Sequence, residues 1–191
     1  MEPVVIELNA PLEIANWRPL VQWLLAIPQL LIASVLRSVG QVLVLISFFT
    51  ILFTKQIPDG IYRFQAMALR YNWRATSYFL YLREPYPPFT FDMDLADPGD
   101  DPAVLTLAEQ GELNRWLPLV KWLLAIPHFV VLFFLLIAQF VVMFIAFFAI
   151  LFTGKWPAGL RDFVMGVNRW GFRLFSYIYL LHDQYPPFSL T

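Results

Sequence analysis

One arginine, Arg37, lies inside a long apolar stretch, where a positive charge is costly. Ser34, Arg37, Ser38 and Gln41 follow at i, i+3, i+4 and i+7, which places them on one face of a helix. No acidic residue occurs between positions 13 and 59 to neutralise the charge. Charges inside membranes face protein or water-filled cavities. We therefore predict a face that docks a partner or lines a cavity, with a snorkelling side chain as the alternative.

Two pairs of arginines have the spacing of a phosphate site. Arg70 and Arg74 are four residues apart, and Arg169 and Arg173 repeat this spacing in the second half of the chain. Residues four apart share one helical face, and arginine binds phosphate with two parallel hydrogen bonds. The pairs are candidates for binding a lipid phosphate. The alternative is snorkelling, with guanidinium groups at the headgroups and aliphatic stems in the membrane.

Enzyme chemistry and cofactors are not indicated. The only histidines, His128 and His182, are far apart in sequence, there is no cysteine, and no metalloprotease, nucleophile-elbow or phosphate-loop motif occurs. The run DMDLADPGDD has acids without the glycine and closing glutamate of a calcium loop. We predict no catalytic residue, no metal site and no cofactor, and we interpret the acidic run as a solvated linker.

The composition indicates that these residues belong to a membrane protein. Of 191 residues, 59% are hydrophobic and 14% are charged, against about 25% charged in soluble domains. The apolar residues form long blocks, and half of the acids lie in one central segment without Lys or Arg. This excludes a disordered chain and a polybasic surface for nucleic acid. The central acids are Asp92, Asp94, Asp97, Asp100, Asp101, Glu109 and Glu112.

The chain repeats itself at an offset of 99 residues without a gap. WRPLVQWLLAIP from Trp17 matches WLPLVKWLLAIP from Trp116, FFTILFT from Phe48 matches FFAILFT from Phe147, and YPPF occurs at Tyr86 and Tyr185. A period this long indicates a duplicated unit, not a solenoid. The predicted organisation is repeat unit 1 at residues 1–89, an acidic water-exposed linker at 90–114, and repeat unit 2 at 115–191.

Each unit predicts a long transmembrane helix followed by an arginine-bearing helix. A short amphipathic piece ends at Pro28 or Pro127, and the apolar run that follows is long enough to cross about 30 Å of hydrocarbon. The third piece, 60–82 or 159–181, is either an interfacial amphipathic helix or a second span. The fold class is therefore an all-α integral membrane protein, and VVIEL and FTFDMD could form minor strands outside the membrane.

The basic third pieces bear on membrane topology. Positively charged segments tend to stay on one side of a membrane. This favours an even number of crossings in each unit and places both YPPF segments on the same side. Inverted units that each cross once are the alternative.

The second unit carries a family resemblance. The blocks RWLPLVKWLLAIPH from Arg115, FAILFTGKWPAGLRDF from Phe148, NRWGFR from Asn168 and YPPFSL from Tyr185 resemble a bacterial membrane family known as domain of unknown function 4389, which is common in actinobacteria. Through the repeat, the resemblance extends over most of the chain. Unit 1 departs from the pattern at Arg37 and at residues 62–69. The resemblance implies a multi-pass protein of the bacterial inner membrane and supplies no catalytic residues.

Two functions remain open from the sequence. The first is a non-catalytic accessory subunit or scaffold that docks to partner chains, or to itself, through Ser34, Arg37, Ser38 and Gln41. It would also bind lipid head groups through Arg70, Arg74, Arg169 and Arg173. The second is a small oligomeric transporter, channel or lipid-moving protein with Arg37 in its path. One arginine and three small polar residues make a thin pathway, and the long helices lack Gly or Pro breaks at mid-membrane, so the subunit is favoured.

Overall fold

A computed structural model describes residues 2–191 as two helical hairpins and a small sheet. The elements are β1 (Val4–Leu8), α1 (Arg18–Thr54), α2 (Asp59–Phe79), β2 (Ala103–Leu107), α3 (Pro118–Thr153) and α4 (Ala158–Ile178). In each half a strand precedes a long helix, and a shorter helix runs back along it. The prediction of a mostly helical chain with two repeated halves is confirmed.

The long helices begin before the internal prolines, not at them. Helix α1 spans 37 residues and starts at Arg18, with Pro19 in its first turn, where the missing N–H is not needed. Pro28 and Pro127 lie inside continuous helices. The predicted separate amphipathic piece is therefore wrong. A helix of this length measures about 55 Å, and Arg37 lies next to its midpoint.

The two halves are related by a pseudo-two-fold axis. The backbone N–H of Ile14 donates to Gly154 at 2.9 Å, and that of Leu113 donates to Lys55 at 3.0 Å. The two bonds are repeat equivalents, because an offset of 99 in residue number maps Ile14 onto Leu113 and Lys55 onto Gly154. In the antiparallel sheet Ile6 pairs with Leu105, which is its own repeat equivalent, so the axis passes through this pair.

The axis also fixes how the helices run. Asn16, just before α1, donates to the carbonyl of Leu151 near the end of α3, and the contact between Lys55 and Leu113 joins the opposite ends. Helices α1 and α3 are therefore antiparallel. They share a layer because the two-fold axis exchanges them.

Helices α2 and α4 form a middle layer between the long helices and the sheet. Gln65 of α2 donates to the carbonyl of Gly40 in α1. Arg70 of α2 and Arg169 of α4 donate to the sheet carbonyls of Leu105 and Ile6. Nearly every residue from 65 to 75 is buried. The order is thus long helices, short helices, sheet.

The strands and the linker differ in part from the sequence predictions. VVIEL forms β1, as predicted, whereas FTFDMD is not a strand. The strand that pairs with β1 is instead β2, which lies within residues 90–114. The offset of 99 maps β1 onto β2, so part of the predicted linker is the start of the second repeat. The prediction of a solvated linker is wrong for this part, because Ala103, Leu105 and Leu107 are buried.

The long helices leave most of their apolar surface uncovered. Buried residues in α1 recur every three or four positions, on the side facing α2, and the opposite side is exposed and apolar. Helix α3 repeats this arrangement. Within residues 2–191, only these two helices are long and apolar enough to cross a membrane. The second-span alternative for the arginine-bearing helices is therefore not supported by their composition.

Candidate functional site

Arg70 and Arg74 bind a buried carboxylate of their own chain. Asp97 lies 3.2 Å from Arg70 Nε and 3.0 Å from Arg74 Nη2. Its carboxylate also accepts the backbone N–H groups of Gly99 and Leu105. All three charged side chains are nearly inaccessible to solvent. Burial lowers the pKa of Arg70, and the charge of Asp97 opposes that shift.

A second acid, Asp101, completes this cluster. It pairs with Arg83 and accepts the backbone N–H of Ala103 at the start of β2. Arg70 additionally donates to the carbonyls of Asp94 and Leu95. The acidic segment after YPPF is thereby fixed to α2. Buried ion pairs of this kind are strongly destabilising when one partner is removed.

The arginine pair of unit 2 is in a more open setting. Arg173 donates to the carboxylate of Glu2 at 3.1 Å and to the carbonyl of Thr191 at 2.6 Å. Arg169 is half-buried and donates to Ile6. Both side chains lie on the sheet side of α4.

These contacts bear on the predicted lipid-phosphate site. Most of the donors that a phosphate would need on Arg70 and Arg74 are already used by Asp97, by the Thr90 hydroxyl and by backbone carbonyls. We therefore assign Arg70 and Arg74 a structural part in place of the predicted lipid contact. For Arg169 and Arg173 the lipid contact stays a prediction.

The polar stripe on α1 is exposed, and its arginine turns inward. Ser34 and Ser38 bond to carbonyls of their own helix, and Gln41 is exposed. Arg37 donates to Asn72 Oδ1 on α2 at 2.8 Å. Arg37 is nevertheless exposed within the chain, so its predicted burial against a partner stays a prediction.

Arg37 lies at the rim of a cavity between the two hairpins. The cavity has a volume of about 490 Å³ and is bounded by α2 on one side and by α3 and α4 on the other. Ala68, Leu69, Asn72 and Thr76 of α2 line it together with their repeat equivalents. Those equivalents are Val167, Asn168, Gly171 and Phe175. The cavity therefore borders the pseudo-two-fold axis and extends towards α3, and no sequence pattern predicts its position.

The histidines are held in separate packing contacts. His128 Nδ1 accepts a hydrogen bond from Trp170 Nε1, and its ring stacks on Phe188 at 4.0 Å. His182 Nε2 lies 2.8 Å from the hydroxyl of Ser176. Among residues 2–191, no group of three or more acids or histidines is placed to hold a metal ion.

We expect His182 to make stability depend on pH. Burial, with a smaller effect from Lys121, lowers its pKa from 6.5 to about 4. The folded state therefore keeps the ring neutral while the unfolded chain takes up a proton below pH 6.5. Stability from this group is complete above pH 6.5 and falls towards pH 4, by a total of about 3 kcal/mol.

The measurement for His182 is thermal unfolding of the solubilised protein from pH 4 to pH 8. Carboxylates titrate in the same range, so the readout is the difference between the parent and His182→Gln. The loss of Tm between pH 6.5 and pH 4 should be smaller in the variant. Equal losses in both proteins would contradict the assignment.

The chain consists of two repeats related by a pseudo-two-fold axis, each built from a strand and a helical hairpin. It is a member of the family described as Domain of unknown function (DUF4389), whose profile matches residues 16–90 and 116–189. The two matches agree with the tandem duplication. No curated protein and no solved structure gave a match.

Proposed function

We propose that the chain is a non-catalytic scaffold of a membrane complex that lies flat in one leaflet. The outer face of α1 and α3 would insert into lipid, and the sheet would face water. The supporting observation is the position of the sheet along the axes of the long helices. Arg70, in the middle of α2, bonds to the sheet, and Asn72, two residues further on, bonds to Ala33 near the middle of α1. The sheet therefore lies beside the middle of the long helices.

The position of the sheet beside the middle of the long helices argues against an upright orientation, in which α1 and α3 would cross the bilayer. An upright α1 would place the sheet and the exposed acids Asp92, Asp94 and Asp100 beside the hydrocarbon core. Each such acid costs about 2.5–3.5 kcal/mol at the centre of a span, and sheet edges in lipid leave backbone groups unsatisfied. A flat orientation removes both costs.

The dimensions and the aromatic residues agree with a flat orientation. A helix about 10–12 Å thick fits within one leaflet of a core about 30 Å thick. Exposed tryptophans lie near the beginnings of both long helices, and this residue type favours the membrane interface. They are Trp17, Trp23, Trp116 and Trp122.

The localisation predicted from the sequence is kept in part. We retain the bacterial inner membrane suggested by the family resemblance and replace the multi-pass arrangement with insertion into one leaflet. The transporter alternative is less favoured, because a protein confined to one leaflet supplies no path across the bilayer. Resistance of the parent chain to carbonate extraction tests the membrane part, since integral proteins stay in the pellet. Release by carbonate would overturn it.

Partner docking is the second part of the proposal. Ser38 and Gln41 are exposed on α1, and small and polar residues are common at helix contacts in membranes. We expect a partner chain to co-purify stoichiometrically with the parent in mild detergent. The variant Ser38→Ile/Gln41→Phe copies the residues of unit 2 and should lose the partner, because its stripe is apolar.

The matched control is Val39→Leu, which changes an exposed apolar residue between Ser38 and Gln41. It should retain the partner. Co-purification that is equal in all three proteins, or absent from the parent, would show that the stripe does not dock a chain.

A further inference from the structure

We infer that the cavity between the hairpins binds a single-chain anionic amphiphile, with its acyl chain in the cavity and its anionic head at Arg37. This goes beyond the scaffold function and concerns a site inside one chain; only its access from lipid rests on the proposed flat orientation. A volume of about 490 Å³ falls within the range of about 300–1,000 Å³ for small-molecule sites.

The two walls of the cavity differ in polarity although the backbone is repeated. Arg37, Asn72 and Thr76 come from unit 1. The same positions in unit 2 are Leu136, Gly171 and Phe175. The unit 1 wall therefore offers charge and hydrogen bonds, and the facing wall is largely apolar, with Gln139 and Asn168 as its polar residues. That division fits a ligand with one polar end and one apolar chain.

Arg37 has capacity for an anion. Among residues 2–191, Arg37 makes one side-chain hydrogen bond, in which Nη2 donates to Asn72 Oδ1, and it forms no ion pair with an acid there. The remaining guanidinium donors match a carboxylate or a phosphate. A lipid-facing cation of this kind is stabilised by an anionic partner.

A second polar group at the cavity lacks a partner. Gln139 is 9% exposed, and its Oε1 atom accepts no hydrogen bond. Unpaired buried acceptors are uncommon in folded proteins. Gln139 lines the same cavity as Arg37, and a hydroxyl or protonated acid of a bound molecule would satisfy it.

The cavity is reached from the apolar layer. Phe129, Phe133 and Leu136 line it and are each about half exposed on α3. Its mouth therefore lies on the face that meets lipid in the flat orientation. Gly171 leaves open space beside it, since a Cβ there would meet no atom within 4 Å.

The test measures binding of three probes to protein held in amphipol, so that no detergent competes. Palmitate carries a carboxylate, palmitoyl lysophosphatidate carries a phosphate, and hexadecanol has the chain without charge. The expected result is one palmitate or lysophosphatidate per chain, with at least ten-fold weaker binding of hexadecanol. Preference between the two anionic probes distinguishes a free fatty acid from a phospholipid source.

Two variants separate binding of the anionic head group from binding of the acyl chain. Arg37→Leu, which copies unit 2, should weaken both anionic probes about ten-fold or more and leave hexadecanol unchanged. Gly171→Leu should abolish binding of all three, because the side chain fills the cavity. Gly159→Leu, at an α4 glycine that is equally free of close atoms, should bind like the parent.

The outcomes are decisive in either direction. Binding of palmitate and lysophosphatidate at parental strength by both Arg37→Leu and Gly171→Leu would overturn the inference, as would no saturable binding by the parent. Because Gly171→Leu favours the helix, thermal unfolding should show a folded variant. Failure here leaves the carbonate and co-purification results unaffected, so it is distinguishable from failure of the scaffold function.

Discussion

Replacing Asp97 with alanine is expected to destabilise the protein by about 3–5 kcal/mol. Arg70 and Arg74 would remain buried without the carboxylate that neutralises them. The backbone N–H of Leu105 would also lose its acceptor, which weakens the attachment to β2. For a chain of this size, the expected fall in Tm is roughly 6–20 °C.

Two further substitutions make the Asp97 measurement specific. Asp97→Asn keeps the shape and some hydrogen bonds but removes the charge, so its loss should be intermediate. Asp100→Ala removes a nearby exposed acid and should change stability by less than about 0.5 kcal/mol. Equal effects at positions 97 and 100 would show that the acidic segment does not cover α2.

Placing aspartate on the outer face of both long helices is expected to release the chain from membranes. Val42 and its repeat equivalent Val141 are 63% and 52% exposed, far from the sheet. An aspartate costs about 2.5–3.5 kcal/mol when transferred to the centre of a membrane. The double variant Val42→Asp/Val141→Asp should therefore lose about 5–7 kcal/mol of membrane affinity.

The matched control for the membrane face is Val5→Asp. Val5 is an exposed valine on β1, and it faces water in the flat orientation. After carbonate extraction, Val5→Asp should remain in the pellet like the parent, and the double variant should move to the supernatant. Retention of the double variant together with release of Val5→Asp would place the sheet, not the long helices, against lipid.

The repeat and the long helices were predictable because local sequence carries both. The offset of 99 residues needs no structure, and the apolar runs are longer than most buried helices. The same offset maps VVIEL from Val4 onto AVLTL from Ala103. That signal could have identified β2, but two identical residues in a match of five are too few to stand out.

The role of the arginines was not predictable from local sequence. The spacing of Arg70 and Arg74 predicts a shared helical face, but their partner Asp97 lies more than twenty residues away in an acidic run that looks solvated. Only tertiary packing decides whether such acids meet water or a buried guanidinium. Pro28 led to a wrong helix boundary for a different reason. A proline in a helix interior usually kinks or breaks the helix, but α1 continues through Pro28.

The central cavity depends on the relation between the two units. Arg37 stood out in the sequence as a charge without a local acid. Its neighbours across the cavity, including Gly171 and Gln139, come from the other unit. The sequence alone therefore identifies Arg37 as an unusual charge, whereas its surroundings depend on how the two hairpins pack together.

The flat orientation of α1 and α3 is the central claim, and single-cysteine labelling at two equivalent positions tests it most directly. Glu13, before α1, and Glu112, before α3, are exposed and lie at opposite ends of the antiparallel pair. The chain has no cysteine of its own. Glu13→Cys and Glu112→Cys are treated with a membrane-impermeant maleimide in right-side-out and inside-out vesicles. The account predicts that both react in the same vesicle type and neither in the other, and reaction from opposite sides would contradict it.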